Sequence, residues 1–292
     1  MNKVIRKKPD FEKLRKEGYT PVDMHSHTTC SDASCTTKQV ITKAKKMGIG
    51  ICISDHNEIH GALQLHKTKD VLSIPAIEVT SENAKDILLY FYNIEDLEDY
   101  YKKYVMSKKW SNIGFNLNRT KLSMKEIVDY SKDYDCVKII PHPASKKPKL
   151  SYRFFLNSPK LLKSMDGAEV MNATQEVWRD LLAEKFARQV KLPFTGGSDA
   201  HNIEDIGRIV TAAKIDSNTC NKEEFIEEFL NAVKSGKTFV IGQENTFLER
   251  MKCHWTILRK NIWFSKRKML RHIKKFDEKY NKNQAHPHTK AW

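Results

Sequence analysis

The 292 residues are 40% apolar and 30% charged, with a formal net charge of +15; this composition fits a globular chain long enough to bury a sizeable core. No apolar run approaches the roughly 18 residues that cross a bilayer, and the basic opening from Met1 to Lys8 lacks an apolar segment or a small-residue cleavage site. The reading is therefore a cytoplasmic protein without a secretory signal, whose cysteines Cys30, Cys35, Cys52, Cys136, Cys220 and Cys253, free of CxxC spacing, are reduced thiols.

Phe11 to Gly18 reads as a short helix with a basic face, closed by glycine. A strand over Pro21–His27 follows, then a helix capped at Thr36–Thr37 with Val40, Ile41, Ala44 and Met47 at helical spacing and Gly48 at its end. Ile49 to His56 is an apolar run too short for a helix, as in a fully buried parallel strand. Leu63–Lys69 is weakly helical. Val71–Val79 is apolar with Glu78 as its one charge, and Ile87–Tyr92 is a further strand.

Asp96–Met106 is acidic and then basic along its length, which suits a helix macrodipole. Ser123 caps a helix to Tyr134, Cys136–Pro143 is a strand ending in histidine, and Ser145–Lys163 is basic and irregular. Ala168–Asn172 is a strand before a long helix over Thr174–Val190. Leu192–His201 is a strand that breaks at Gly196–Gly197 into an Asp-x-His pair. A helix at Lys222–Lys234 and a strand at Thr238–Gly242 complete the regular part. Strands alternating with helices predict a largely parallel α/β sheet, open or closed into a barrel. The domain division is a helical lead-in at 1–19, a barrel at 20–245 and a basic extension at 246–292.

His25 and His27 stand two apart in an extended segment, so their imidazoles share a face. Asp32, His56, Glu78, His142, Asp199 and His201 join them, most at or just beyond the end of an apolar run. Parallel strands bring such ends to one rim. Imidazoles and carboxylates without thiolates suit Mn²⁺, Fe²⁺ or Zn²⁺. Eight ligands exceed one ion, and a carboxylate such as Glu78 can bridge, so two or three divalent ions is the expected count. Asp55 and Asn57 flank a ligand and are candidates for orienting the catalytic centre. Lys146, Lys147, Lys149 and Arg153, following His142, form a candidate phosphate-binding patch. Glu169 reads as structural, as do His60, His66, His254, His272, His286 and His288.

The phrases Asp23-Met24-His25-Ser26-His27-Thr28 with Ser31-Asp32, Ile53-Ser54-Asp55-His56-Asn57, Ile77-Glu78-Val79-Thr80, Ile140-Pro141-His142-Pro143 and Gly197-Ser198-Asp199-Ala200-His201 resemble, in order, the motifs of the PHP (polymerase and histidinol phosphatase) metallophosphoesterases. The resemblance spans roughly residues 20–245. It implies a distorted (β/α)7 TIM-like barrel, up to three metal ions and hydrolysis of phosphate esters. It also implies that His25, His27, Glu78 and Asp199 hold one ion, that Glu78 bridges to a second held with His142, and that Asp32, His56 and His201 hold a third. The chain departs from the family's small-nucleotide phosphatases at Leu88, where they usually carry a histidine.

The expected activity is metal-dependent hydrolysis of phosphate mono- or diesters of a small molecule, nucleotide or short oligonucleotide. The alternatives are a catalytically weakened polyanion-binding protein and a metal-dependent amidohydrolase. Ten Lys/Arg residues and no acid lie between Arg250 and Phe276, two-thirds of the net charge. Met251, Trp255, Leu258, Ile262, Met269, Ile273 and Phe276 fall near one helical face. The plain reading is a helix docked on the barrel. The sharper ones are an interfacial helix on an anionic membrane, making the protein peripheral there, or a nucleic-acid arm. Asn281–Trp292 reads as disordered.

Overall fold

A computed structural model describes residues 2–109, 118–215 and 221–259. β1 (Lys3–Arg6) leads into α1 (Phe11–Lys16), which Asp10 caps by accepting the Lys13 amide. β2 (Thr20–Asp23) is buried throughout. α2 (Thr37–Met47) opens with a capping box between Thr36 and Gln39 and closes at Gly48, whose φ of 63° is a left-handed turn. β3 (Gly50–Ile51) and α3 (His60–His66) precede the hairpin of β4 (Ala76–Thr80) and β5 (Asp86–Phe91), both fully buried. α4 (Ile94–Tyr100) is capped by Asn93 and runs into a π-turn at Tyr101–Val105.

α5 (Met124–Tyr130) has a Ser123–Glu126 capping box, and β6 (Cys136–Ile140) follows it. The irregular basic stretch contains two short helices, α6 (Tyr152–Leu156) and α7 (Pro159–Leu162). β7 (Gly167–Asn172), α8 (Val177–Gln189), β8 (Phe194–Gly197) and β9 (Ile209–Ala213) come next. α9 (Lys222–Lys234) and β10 (Thr238–Gly242) have the predicted bounds. Residues 247–259 are helical. No helix among the described residues is long and apolar enough to cross a membrane.

The strands form two five-stranded sheets, β1-β10-β9-β2-β3 and β4-β5-β6-β7-β8. β5 and β9 are antiparallel to both their neighbours, and the other pairings are parallel. Single parallel bridges, Ser26 to Ala200 and His56 to Glu78, join one sheet to the other. Thr211 Oγ1 reinforces the β8–β9 seam, accepting from the Gly196 amide at 2.8 Å and donating to the Gly196 carbonyl at 2.9 Å. The class is therefore α/β, but the expected closed (β/α)7 barrel is corrected: no continuous ladder closes it among the described residues. β3 ends after two residues as its chain turns to present His56, and the seams rest on bridges and side-chain contacts.

The expectation of a largely parallel sheet changes at β5 and β9, and β1 adds a strand to the helical lead-in. The main core cluster lies between β4–β8 and their helices, with Phe91, Tyr100, Phe155 and Phe194 buried. In the helix at 247–259, Cys253 is buried whereas Met251, Trp255 and Leu258 are exposed. Of the face expected to dock, these three residues face outward, and Ile262, Met269, Ile273 and Phe276 lie outside the described residues. The continuation of the basic extension, 260–292, lies outside the described residues.

Candidate metal centre

Of the predicted ligands, His25, His27, His56 and His142 converge on Glu78, and Asp199, Asp32 and His201 gather around those histidines. This side chain stands mid-strand in β4 with 1% exposure, a position where a carboxylate needs partners. Its Oε2 is 3.0 Å from His56 Nδ1 and 3.4 Å from both His25 Nε2 and His27 Nε2. Its Oε1 is 3.2 Å from His142 Nε2. Asp199 Oδ1 lies 3.0 Å from His27 Nε2 and 3.6 Å from His25 Nε2. Asp32 Oδ1 lies 3.3 Å from His201 Nε2, and its Oδ2 is 3.9 Å from His56 Nε2.

Backbone geometry produces this convergence. His25 and His27 follow β2, and the Asp199 amide donates to the His25 carbonyl at 2.7 Å. His142 and Asp199 both hold positive φ, 29° and 49°, which turns each away from its strand toward the centre.

Four groups have ligand atoms mutually within 4.8 Å: His27–Asp32–His56–His201, His25–Glu78–His142, His25–His27–Asp199 and His56–Glu78–Asp86. Burial would raise the Glu78 carboxyl, but His56, His25 and His142 hold it well below its usual range. Asp199 and Asp32 are likewise lowered against burial, chiefly by His25 and by His201 respectively. Burial would lower His25 and His201, yet Asp199 and Glu169 raise the first and Asp32 the second. His56 differs: burial takes it down to about 4, and Lys149 acts in the same direction.

The buried acids thus draw positive charge onto His25, His142 and His201. Divalent ions fit the same demand with N and O donors. Two details favour them. His25 Nε2 and His27 Nε2 face each other at 3.1 Å, a contact that a shared cation relieves. His27 Nδ1 and His142 Nδ1 are buried without a hydrogen-bond partner among the described residues.

The candidate orienting residues lie behind the ligands. Asp55 accepts from the Thr28 amide at 2.7 Å, Thr28 Oγ1 at 2.6 Å and Ser31 Oγ at 2.5 Å, fixing the loop from His27 to Asp32. Asn57 Oδ1 accepts the Thr80 amide at 3.0 Å, and its own amide donates to the Glu78 carbonyl at 2.8 Å. Of the predicted patch, Lys146, Lys147 and Lys149 line a cleft of about 340 Å³ together with Arg119, Asp32, His56 and His142. Arg153 is absent from that lining; its Nε donates to Tyr152 Oη at 3.0 Å.

Three contributors escaped the sequence reading. Asp86 opens β5, and because β5 runs against its neighbours its first residue lies at the rim. Asn118 donates to Asp32 Oδ2 at 2.8 Å. Glu169, read as structural, has Oε1 3.1 Å from His25 Nδ1.

A model of the PHP-associated family matches residues 180–238. The fold is similar to that of PsfC from Pseudomonas syringae, with 15% identity and a TM-score of 0.55 over 84% of this chain and 98% of that one. It is similar also to the lesion-specific endonuclease PfuEndoQ from Pyrococcus furiosus, at 20% identity and a TM-score of 0.57, over 76% of this chain and 57% of that one. A two-domain protein from Bacteroides vulgatus, containing a predicted PHP-like metal-dependent phosphoesterase, aligns at 17% identity and a TM-score of 0.55, over 83% and 69%. The family match is thus to the 180–238 segment, and the three solved structures share the fold. No curated protein matches the chain. The buried His, Asp and Glu clusters suit divalent metal binding and fit metal-dependent hydrolysis.

Proposed function

We propose that the chain is a metal-dependent phosphoesterase cleaving phosphate mono- or diesters of a phosphorylated small molecule, nucleotide or short oligonucleotide. The observation that carries this reading is the placement of His25, His27, His56 and His142 within 3.4 Å of the two Glu78 oxygens. Two or three divalent ions, Mn²⁺, Fe²⁺ or Zn²⁺, would be held by His25, His27, Asp32, His56, Glu78, His142, Asp199 and His201. Bound there, such ions supply an activated water and stabilise the attacking and departing oxygens.

The protein's own part is positioning. Asp55 keeps the 27–32 loop in place, and Asn57 ties the His56 turn to β4. Glu169 fixes the orientation of His25. Lys146, Lys147 and Arg119 in the cleft wall would take the substrate's phosphate oxygens as charge-assisted donors. The likeness to a lesion-specific endonuclease supports a nucleotide or nucleic-acid ester ahead of a sugar phosphate.

The test is a panel of phosphate mono- and diesters, including nucleotides and short single- and double-stranded oligonucleotides, assayed with each ion beside His25→Ala. Ion-dependent release that disappears in the variant is expected. Equal activity in the variant, or none with any ion in the native chain, overturns the reading.

A further inference from the structure

The fourth ligand group contains a cation of the protein's own. Lys149 Nζ lies 3.0 Å from Asp86 Oδ2 and 3.3 Å from His56 Nε2, and both residues belong to the His56–Glu78–Asp86 group. Among the described residues it is the one ammonium within 4 Å of any acid at this centre. Its side chain is 36% exposed, whereas Asp86 is fully buried. The ammonium thus enters from the cleft side and plugs the corner.

The surrounding chain fixes it there. The loop that carries Lys149 is tied to the His142 turn, with the Ser145 amide donating to the His142 carbonyl at 2.9 Å and the Ser151 amide to the Pro143 carbonyl at 3.0 Å. Lys85, next to Asp86, donates its ammonium to the Pro148 carbonyl. One loop is therefore clamped both to a ligand and to the strand bearing Asp86.

The strand opposite gives the corner little else. Leu88 pairs directly with Glu78 in the β4–β5 ladder, so its side chain shares the Glu78 face and offers no donor. Asp86 lies two residues earlier on that face, opposite Thr80; neither of its oxygens has a hydrogen-bond partner of standard geometry among the described residues, so the ion pair with Lys149 is what compensates its charge. Asp86 Oδ2 and His56 Nε2 cannot serve the ammonium and a divalent ion at the same time. An ion on Asp86 and His56 would sit about 2.0–2.2 Å from their donor atoms, within repulsive range of an ammonium about 3 Å from the same atoms.

We propose that Lys149 is a built-in cation of this centre, holding the corner between Asp86 and His56 in place of a divalent ion. The inference rests on the metal reading above. It makes the site one ion poorer than its carboxylates and imidazoles would allow, and it leaves a fixed positive charge at the cleft wall for a substrate phosphate.

The test counts ions. The native chain, Lys149→Met and Lys149→Arg are loaded with Mn²⁺, desalted and measured by elemental mass spectrometry. Lys149→Met is expected to retain one more Mn²⁺ per chain, and Lys149→Arg the native number. Equal or lower retention in Lys149→Met overturns the proposal while leaving the metal reading intact, and a gain in Lys149→Arg overturns it as well. A native chain that retains no Mn²⁺ ends the metal reading and this inference with it.

Discussion

Glu169 Oε1 sits 3.1 Å from His25 Nδ1, and the other Glu169 oxygen accepts the His142 amide at 2.8 Å. One buried carboxylate therefore orients two candidate ligands from different strands, leaving His25 Nε2 turned toward Glu78. Glu169→Gln keeps the shape but has a single acceptor oxygen, so one of the two contacts is lost. Outer carboxylates of this kind are worth about 10–100-fold in metal affinity. Calorimetric titration with Mn²⁺ is expected to show a loss of that order, with the far-ultraviolet circular dichroism unchanged. Native affinity would remove Glu169 from the centre.

Asp55 accepts three hydrogen bonds within the loop that carries Asp32. Asp55→Ala strands those buried donors, at a cost of about 3 kcal/mol or more. In a chain this size that corresponds to a fall in Tm of roughly 6–12 °C. Melting in EDTA reads the structural part alone, since no ion then contributes. A variant that melts like the native chain but has lost activity would place Asp55 among the reacting atoms and not behind them.

The candidate ligands that the structure brings together carry local signals in the sequence: His-x-His in an extended segment, a lone charge in an apolar run, Asp-x-His after two glycines. Helix limits were legible where caps were explicit, as at Thr36 and Asn221. Asp86 carries no such signal, because parallel strands gather chemistry at their ends, whereas β5 runs in reverse and brings its beginning to the rim. β9 and β1 went unseen for a related reason. Ile209–Ala213 and Lys3–Arg6 are short and plain, and pairing with β10, for β9 with β2 as well, makes them strands. Glu169 lacked any signal of its own, since its role depends on His25, distant in sequence.

Gly197 lets β8 approach β2 closely. A Cβ at this position would lie 2.5 Å from His25 Cβ and 2.6 Å from the His25 amide nitrogen, closer than packed atoms allow. Gly197→Ala must therefore push the segment bearing Asp199 away from His25. Overpacking of this kind costs about 1–3 kcal/mol, and here the shift falls on two candidate ligands. The rise in Tm on adding Mn²⁺ is expected to shrink in Gly197→Ala relative to the native chain. An undiminished rise would mean that the seam relaxes elsewhere.

Asp180 supplies the pH test. Its carboxylate accepts the Asn172 amide at 3.0 Å, but burial raises its pKa well above the usual value, and Glu244 and Glu169 add to the effect against that hydrogen bond and Arg6. An acid whose pKa is higher folded than unfolded binds its proton more tightly in the fold. Its ionisation therefore opposes folding as pH rises through the unfolded and then the folded pKa, and the penalty is full only above the latter. Asp180→Asn retains an acceptor for the Asn172 amide and cannot ionise. Its Tm, measured in EDTA from pH 5 to pH 8, is expected to exceed the native value most at pH 8, with the gap narrowing as pH falls. A gap that is constant with pH, or that widens toward pH 5, would show that Asp180 is not held protonated by the fold.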